Sequence, residues 1–230
     1  MMKYPKIDTL WKRDEKTHKI IPGELSKPEF AVPKTWVLSE KVDGTNVRAI
    51  YDCVRHVDED DNFVHRVQFR GKTDDAMLHP ILLEKLNVLF SAEKMRAVFP
   101  DVEEVILFGE GYGTKVNGIK YGVDADFILF DVAVKNIDEE RSFKVPYWWL
   151  TRANVKDVAQ KLGVQVVPEL AVLPLAAAIE KVKMGESSVV ASPDVIGELK
   201  MEGVVARTEP MLLCRDGSPL MWKLKLRDFR

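Results

Sequence analysis

Short apolar, β-branched runs, each stopped by a polar or glycine-containing turn, recur along this chain and commit it to a fold built on sheets. Between Thr35 and about Arg70 they are TWVLSE, VRAIYDC and FVHRVQFR, with the polar turn DEDDN at 58–62 before the last. Further on come VEEVILFGE, DFILFDVAV, GVVAR and PLMWKLKLRDF. Three stretches carry a helical period instead. ILLEKLNVLFSAEKMRAVF (81–99) places Leu82, Leu86, Leu89 and Phe90 at helical spacing, and Pro100 follows. TRANVKDVAQKLG and PLAAAIEKVKMG are shorter helices, with Gly163 and Gly185 just past their ends. No Pro/Gly/Ser-rich linker divides the chain, so the reading is one α+β domain over residues 1–230.

Composition narrows the classes. A chain of 230 residues that is 46% hydrophobic can bury roughly 70% of its unfolded surface in a sizeable core. The net charge of −2 gives no global basic signal for nucleic acid, although a local basic groove is compatible with it. Cys53 and Cys214 make no disulfide framework, and His18, His56, His65 and His79 lack metal-ligand spacing. The polar N-terminus has no signal-like apolar core, and no run approaches the ~18 apolar residues of a membrane span. A soluble protein of a reducing, cytoplasmic compartment is expected.

The stretch SEKVDGTNVRAIYD (39–52) has two readings. Asp43-Gly44 between two apolar runs is a hairpin signal, since glycine tolerates the positive φ of such turns. Alternatively, Lys41 is a nucleophile at the mouth of a nucleotide pocket. A free lysine amine titrates near pH ~10.4, so a nucleophilic lysine needs desolvation or neighbouring cations. Four places offer such company, each with a plainer reading beside it. Glu110 sits between Gly109 and Gly111 after a strand, where it contacts a ligand or decorates a loop. Phe127 and Phe130, three apart in DFILFDV, face opposite sides of a strand that is a core strand or a base-stacking one. Glu202 and Gly203 open the GVVAR strand, as a site acid or a turn. Lys223, Lys225 and Arg227 share one face of the last strand, as a phosphate-binding row or a lysine-guarded edge. Arg70, before Gly71, adds another cation at a strand end.

Taken in order, Lys41-Val42-Asp43-Gly44-Thr45-Asn46, Phe69-Arg70-Gly71, Gly109-Glu110-Gly111, Phe127 to Asp131, Glu202-Gly203-Val204-Val205 and Trp222-Lys223-Leu224-Lys225 resemble six motifs of the covalent nucleotidyltransferase superfamily of polynucleotide ligases and mRNA capping enzymes. The resemblance spans residues 39 to 229 and favours the nucleophile reading of Lys41. Asp-Gly-Thr-Asn looks most like phage ATP-dependent RNA ligases of the second class. Asp43 departs from that class, which commonly has histidine there, and is like DNA ligases and capping enzymes instead.

The resemblance implies an α+β nucleotidyltransferase domain with antiparallel sheets flanked by helices. Most ligases add an oligonucleotide-binding or other C-terminal domain, whereas here Arg230 follows shortly on the last motif, so a single domain over 1–230 without such an addition is expected. It implies an ATP-dependent RNA ligase: Lys41 takes AMP, a 5′-phosphate end receives it, and a 3′-hydroxyl displaces it. Lys41, Asp43, Lys223 and Lys225 would be catalytic, the two later lysines gripping the α-phosphate and pyrophosphate. Glu40, Asn46, Arg70, Glu110, Phe130, Val205 and Arg207 would bind the nucleotide, Phe130 and Val205 covering opposite faces of adenine. Glu202 would hold Mg²⁺ or Mn²⁺. RNA ends are the implied partner, with a nicked duplex second. Lys115, Lys120, Arg207, Arg215 and Arg227, or an accessory protein, would supply the grip. The family also suggests a role in RNA repair and a phage source. The rival readings are a nick-sealing DNA/RNA ligase, a GTP-using capping guanylyltransferase and a non-catalytic nucleic-acid adaptor of the same fold.

Overall fold

The computed structural model describes residues 2–55, 63–100, 102–135, 147–195 and 199–229. The DEDDN turn expected at 58–62 lies outside them. The first strands are β1 (Asp8–Thr9), β2 (Trp11–Arg13), β3 (Ile20–Leu25), β4 (Trp36–Lys41), β5 (Thr45–Arg55) and β6 (Phe63–Arg70). Helices α1 (Pro80–Leu89) and α2 (Ala92–Val98), strand β7 (Glu104–Tyr112), the short helix α3 (Thr114–Asn117), and strands β8 (Asp126–Lys135) and β9 (Tyr147–Trp149) follow. The chain closes with α4 (Arg152–Leu162), β10 (Gln165–Val166), β11 (Glu169–Leu173), α5 (Leu175–Met184), β12 (Gly203–Arg207) and β13 (Met221–Lys225). Among the described residues no helix is long and apolar enough to cross a membrane.

The chain divides into two compact units. One comprises Met1–Tyr4, Gly44–Ile119 and Val123–Val166 and is built on a six-stranded sheet, order β10-β8-β7-β5-β6 with β9 also on β8. Among the described residues only the β10–β8 pairing of this sheet is parallel. Helices α1, α2 and α4 cover one face, burying Leu82, Leu86, Met95, Val155, Val158 and Leu162 against Val47, Ala49, Tyr51, Leu107, Phe127 and Leu129. That odd-numbered alternation is the period of two that the strand runs carry. The other unit comprises Pro5–Asp43, Lys120–Gly122 and Val167–Arg230. Its five-stranded sheet runs β1-β13-β12-β4-β11, antiparallel except for β1 on β13. Trp36, Leu38, Val204, Ala206, Trp222 and Leu224 form its core under Ala178 and Val182 of α5.

Three expectations are corrected. The helix read across 81–99 is two helices: Phe90 leaves helical geometry at φ −123°, ψ 57°, and the Ser91 hydroxyl caps α2 by accepting from Lys94 N–H. Serine at that place satisfies an orphan donor of a new helix better than it continues the old one. The Asp43-Gly44 hairpin is absent, because β4 and β5 belong to different sheets. Gly44 is not among the positive-φ glycines, and its need is steric: a Cβ there would lie 2.3 Å from the Gly111 carbonyl oxygen. The last strand stops at Lys225, since Leu226–Phe229 winds into a 3₁₀ turn held by Leu226 N–H on the Glu202 carbonyl. Arg227 therefore does not continue the row of Lys223 and Lys225.

Candidate functional site

In the five-stranded unit, three neighbouring strands bring Lys41, Glu202 and Lys225 together. Gly203 on β12 stands opposite Lys41 on β4 and opposite Lys225 on β13. A Cβ at Gly203 would fall 2.1 Å from the Leu224 carbonyl oxygen, so a side chain between the two lysines is excluded. Glu202, one residue earlier, bridges them: Oε2 accepts from Lys41 Nζ at 2.5 Å, and Oε1 pairs with Lys225 Nζ. The three side chains are 22%, 11% and 17% exposed in chain order, so water screens the cluster only in part. Burial by itself pushes the Glu202 carboxyl up, but the two ammonium groups, Lys41 foremost, outweigh it and hold its pKa below the usual range.

The next row on the same face is Ser39, Val205 and Lys223, followed by Val37, Arg207 and Met221. Val205 and Lys223 are half-buried beside the cluster, whereas Arg207 is 5% exposed. Burial removes Arg207 from the surface grip proposed for it. Lys115 is ion-paired with Asp124 at 2.8 Å, and Lys120 and Arg215 are exposed.

Glu40 pairs in register with Val204, on the core side of β4, away from Lys41. Both of its oxygens are engaged there: Ser188 Oγ donates to Oε1 at 2.5 Å and Val189 N–H to Oε2 at 2.8 Å. Burial raises the Glu40 pKa against these two bonds, which lower it. Glu40 therefore anchors the 188–189 segment behind the lysine strand. Asp43 is set by a residue that sequence reading passed over: its N–H donates to the Tyr121 hydroxyl at 2.8 Å. Burial pushes the Tyr121 phenol far up, and Glu40, Asp43 and Glu202 add to the shift, so Tyr121 is a neutral donor and acceptor. Its signal was faint, the second of two tyrosines in the glycine-rich passage GYGTKVNGIKYG.

In the six-stranded unit, register assigns Asn46, Glu110 and Ile128 to one row, and Arg48, Arg70 and Phe108 to the next. All lie on the face away from the helices. The register between β7 and β8 slips after Phe108, where Gly109 pairs Leu129 and Phe108 pairs Asp131. Phe130 is the extra residue of that bulge. Phe127 points to the helical core, edge-on to Phe90 at 5.1 Å, whereas Phe130 lies with Tyr4 on the face of Glu110 and Asn46. Of the two phenylalanines, only Phe130 accompanies the candidate polar residues. The glycines flanking Glu110 serve the opposite face from a ligand: a Cβ on Gly109 would meet the Phe127 ring at 2.1 Å, and one on Gly111 would meet Leu82 at 2.3 Å. They let the helices close on β7.

Arg70 is half-buried and held only weakly, by the Phe69 carbonyl at 3.4 Å and Gln68 at 3.2 Å. Arg48 beside it is fully buried and spends its guanidinium on the Gly71 and Met2 carbonyls and on Asp74. Asn46 Oδ1 is a buried oxygen without a hydrogen-bond partner among the described residues. Such an orphan costs about 1–3 kcal/mol unless a donor reaches it, which marks it as ready for a ligand or water hydroxyl. Among the described residues no group of three His, Cys, Asp or Glu side chains could hold a metal ion.

A family described as RNA ligase matches residues 34–225. No curated protein matches the sequence. Solved structures do. A point variant of the Naegleria gruberi RNA ligase with ATP and Mn aligns over 99% of this chain at 17% identity and a TM-score of 0.58. The same ligase with PPi aligns over 98% at 18% identity and a TM-score of 0.54. At these identities the likeness establishes the α+β fold. The chain spans 57% and 62% of the lengths of those two proteins.

Proposed function

The chain belongs to the RNA ligase family, and on that premise we propose that it is an ATP-dependent RNA ligase whose nucleophile is Lys41. The observation that carries the reading is the Glu202 carboxylate shared between Lys41 and Lys225. Two ammonium groups converging on one largely buried carboxylate make the kind of charge-dense, pKa-perturbed cluster at which functional sites concentrate. Glu202 fixes the direction of the Lys41 amine, while Lys225, with Lys223 on the same face, presents positive charge to a triphosphate.

In the first step the Lys41 nitrogen bonds to the α-phosphorus of ATP. The bond from that phosphorus to its bridging oxygen breaks, and pyrophosphate leaves with the electron pair. The amine proton goes to solvent. Lys223 and Lys225 stabilise the charge gathering on the departing oxygens, the largest contribution in phosphoryl-type transfer. AMP then passes to an RNA 5′-phosphate, and a 3′-hydroxyl displaces it. By the motif resemblance, Asn46 and Glu110 suit ribose hydroxyls, Arg70 a phosphate and Phe130 a base in the six-stranded unit, and Val205 suits a base in the five-stranded one. Asp43, fixed through Tyr121, orients the segment that follows the nucleophile.

A divalent ion fits this donor set in one way. A single carboxylate, Glu202, makes no protein cage, but it suits Mg²⁺ or Mn²⁺ that keeps waters and arrives on phosphate oxygens. Such an ion would neutralise phosphate charge when bound. The Naegleria ligase structures with ATP and Mn are in keeping with that.

The test is intact mass after incubation with ATP and Mg²⁺ or Mn²⁺, and separately with GTP. A gain of one AMP with ATP, absent from Lys41→Ala, is the expected result. A GMP adduct would move the protein to capping chemistry. No adduct from protein shown to start unmodified would refute the nucleophile.

A further inference from the structure

The five-stranded unit holds a second concentration of positive charge that shares no residue with the lysine cluster. The β2–β3 hairpin and the 3₁₀ turn Leu226–Phe229 enclose a cavity of about 550 Å³, lined among others by Arg13, Lys19, Ile20, Arg227, Asp228 and Phe229. Its one acid is already committed. Asp228, with a side chain 4% exposed, accepts from Arg13 Nη2 at 2.8 Å through Oδ1 and from Lys225 N–H at 3.0 Å through Oδ2. Arg13 is held a second time, by Nη1 donating to the His18 carbonyl at 2.8 Å. The guanidinium is thus fixed in place before any ligand arrives.

Lys19 and Arg227 are exposed at the rim, and neither forms an ion pair among the described residues. Two uncompensated cations over a concave surface with an apolar side, Ile20 and Phe229, call for an anion with an attached flat or apolar body. The volume lies within the range of small-ligand sites and far exceeds a bare phosphate, but it suits a nucleotide unit. Its place in the chain is also informative, because Arg227 and Asp228 follow directly on the strand that carries Lys225.

We propose that this cavity binds one nucleotide unit of the RNA strand, with its backbone phosphate on Lys19 and Arg227, as a grip separate from the reacting ends. Chain identity as a substrate binder rests on the ligase reading; the cavity's charge and shape do not. Phosphate contacts of this kind carry affinity without sequence preference and weaken steeply with salt.

The experiment is fluorescence anisotropy of a labelled single-stranded 12-mer RNA at several salt concentrations, with Lys19→Ala/Arg227→Ala against a control, Lys94→Ala/Lys161→Ala. Both pairs remove two exposed cations. The cavity variant is expected to lose roughly tenfold or more in affinity at low salt, and its log–log salt slope should fall by about 1.4, or ~0.7 per lost contact. The control should stay within about threefold. AMP adduct formation without RNA should be unchanged in the cavity variant, which also shows that it folds. If the cavity variant binds RNA as tightly as the control, or wild type does not bind the 12-mer at low salt, the inference is overturned. Adduct formation then decides separately: wild type that forms none while the cavity variant still loses RNA refutes the ligase reading and leaves the cavity standing.

Discussion

Replacing Glu202 by alanine should cost the five-stranded unit about 3 kcal/mol. The carboxylate makes two charge-assisted hydrogen bonds, to Lys41 and Lys225, and each such bond contributes about 1.5–3 kcal/mol. With 22% and 17% of the two lysine side chains exposed, water restores part of that loss. The two ammonium groups, both drawn onto the missing carboxylate, then repel: unit charges about 5 Å apart at an effective dielectric of about 20 repel by about 3 kcal/mol, and less once they swing outward. Net destabilisation near 3 kcal/mol should lower the melting temperature by about 6–12 °C in a chain of this size. Urea unfolding read by tryptophan fluorescence is the assay, since Trp36 and Trp222 are fully buried in this unit, 5.6 Å apart. Lys225→Ala supplies the decisive background. There, Glu202→Ala should cost at least about 1 kcal/mol less, because one of the stranded cations is gone. Additivity within about 0.3 kcal/mol would refute the bridging role.

The same carboxylate sets an acid limb. A carboxyl whose folded pKa lies below its unfolded value of ~4.3 adds stability above that pH and loses it as the pH falls through the lower folded value. The stability gap between wild type and Glu202→Gln should therefore be level above about pH 5 and narrow below about pH 4. Gly44→Ala should destabilise by about 1–3 kcal/mol through overpacking against the Gly111 carbonyl, and an unchanged melting temperature would show that β5 and β7 are looser than the structure has them. Phe127→Ala should cost about 3–5 kcal/mol as a core truncation, while Phe130→Ala should be milder in stability and raise the KM for ATP; the reverse ranking would misplace the bulge. Tyr121→Phe should lose about 1 kcal/mol by removing the acceptor for Asp43 N–H, and slow adduct formation at unchanged ATP affinity, which single-turnover mass measurements can separate.

Part of the candidate site was legible in the chain because the residues it draws together are charged groups beside strand and glycine signals. Lys41, Glu202 and Lys225 were singled out by charge beside strand and glycine signals, and the structure places them within one ion-paired cluster. The helices α4 and α5 were equally legible, since Gly163 and Gly185 sit past their ends at φ +71° and +65°, which side chains rarely adopt. Local patterns of this sort depend on the nearest few residues, so the sequence by itself determined them.

Other features depend on what lies across a sheet. The turn chemistry of Asp43-Gly44 is that of a hairpin, but strand pairing is decided by partners far along the chain: Lys41 on β4 pairs with Gly203 on β12, and Asp52 on β5 pairs with Glu104 on β7. The glycines around Glu110 look like a ligand's clearance in one dimension, whereas Leu82 and Phe127 need their missing side chains in three. Glu40 adjoins Lys41 in sequence yet faces away from it, because successive residues of a strand point to opposite faces. Residue types and their order determined which chemistry was available; only the register of distant strands decided which of those side chains meet, since a sheet brings together residues by pairing across the chain and not by nearness along it.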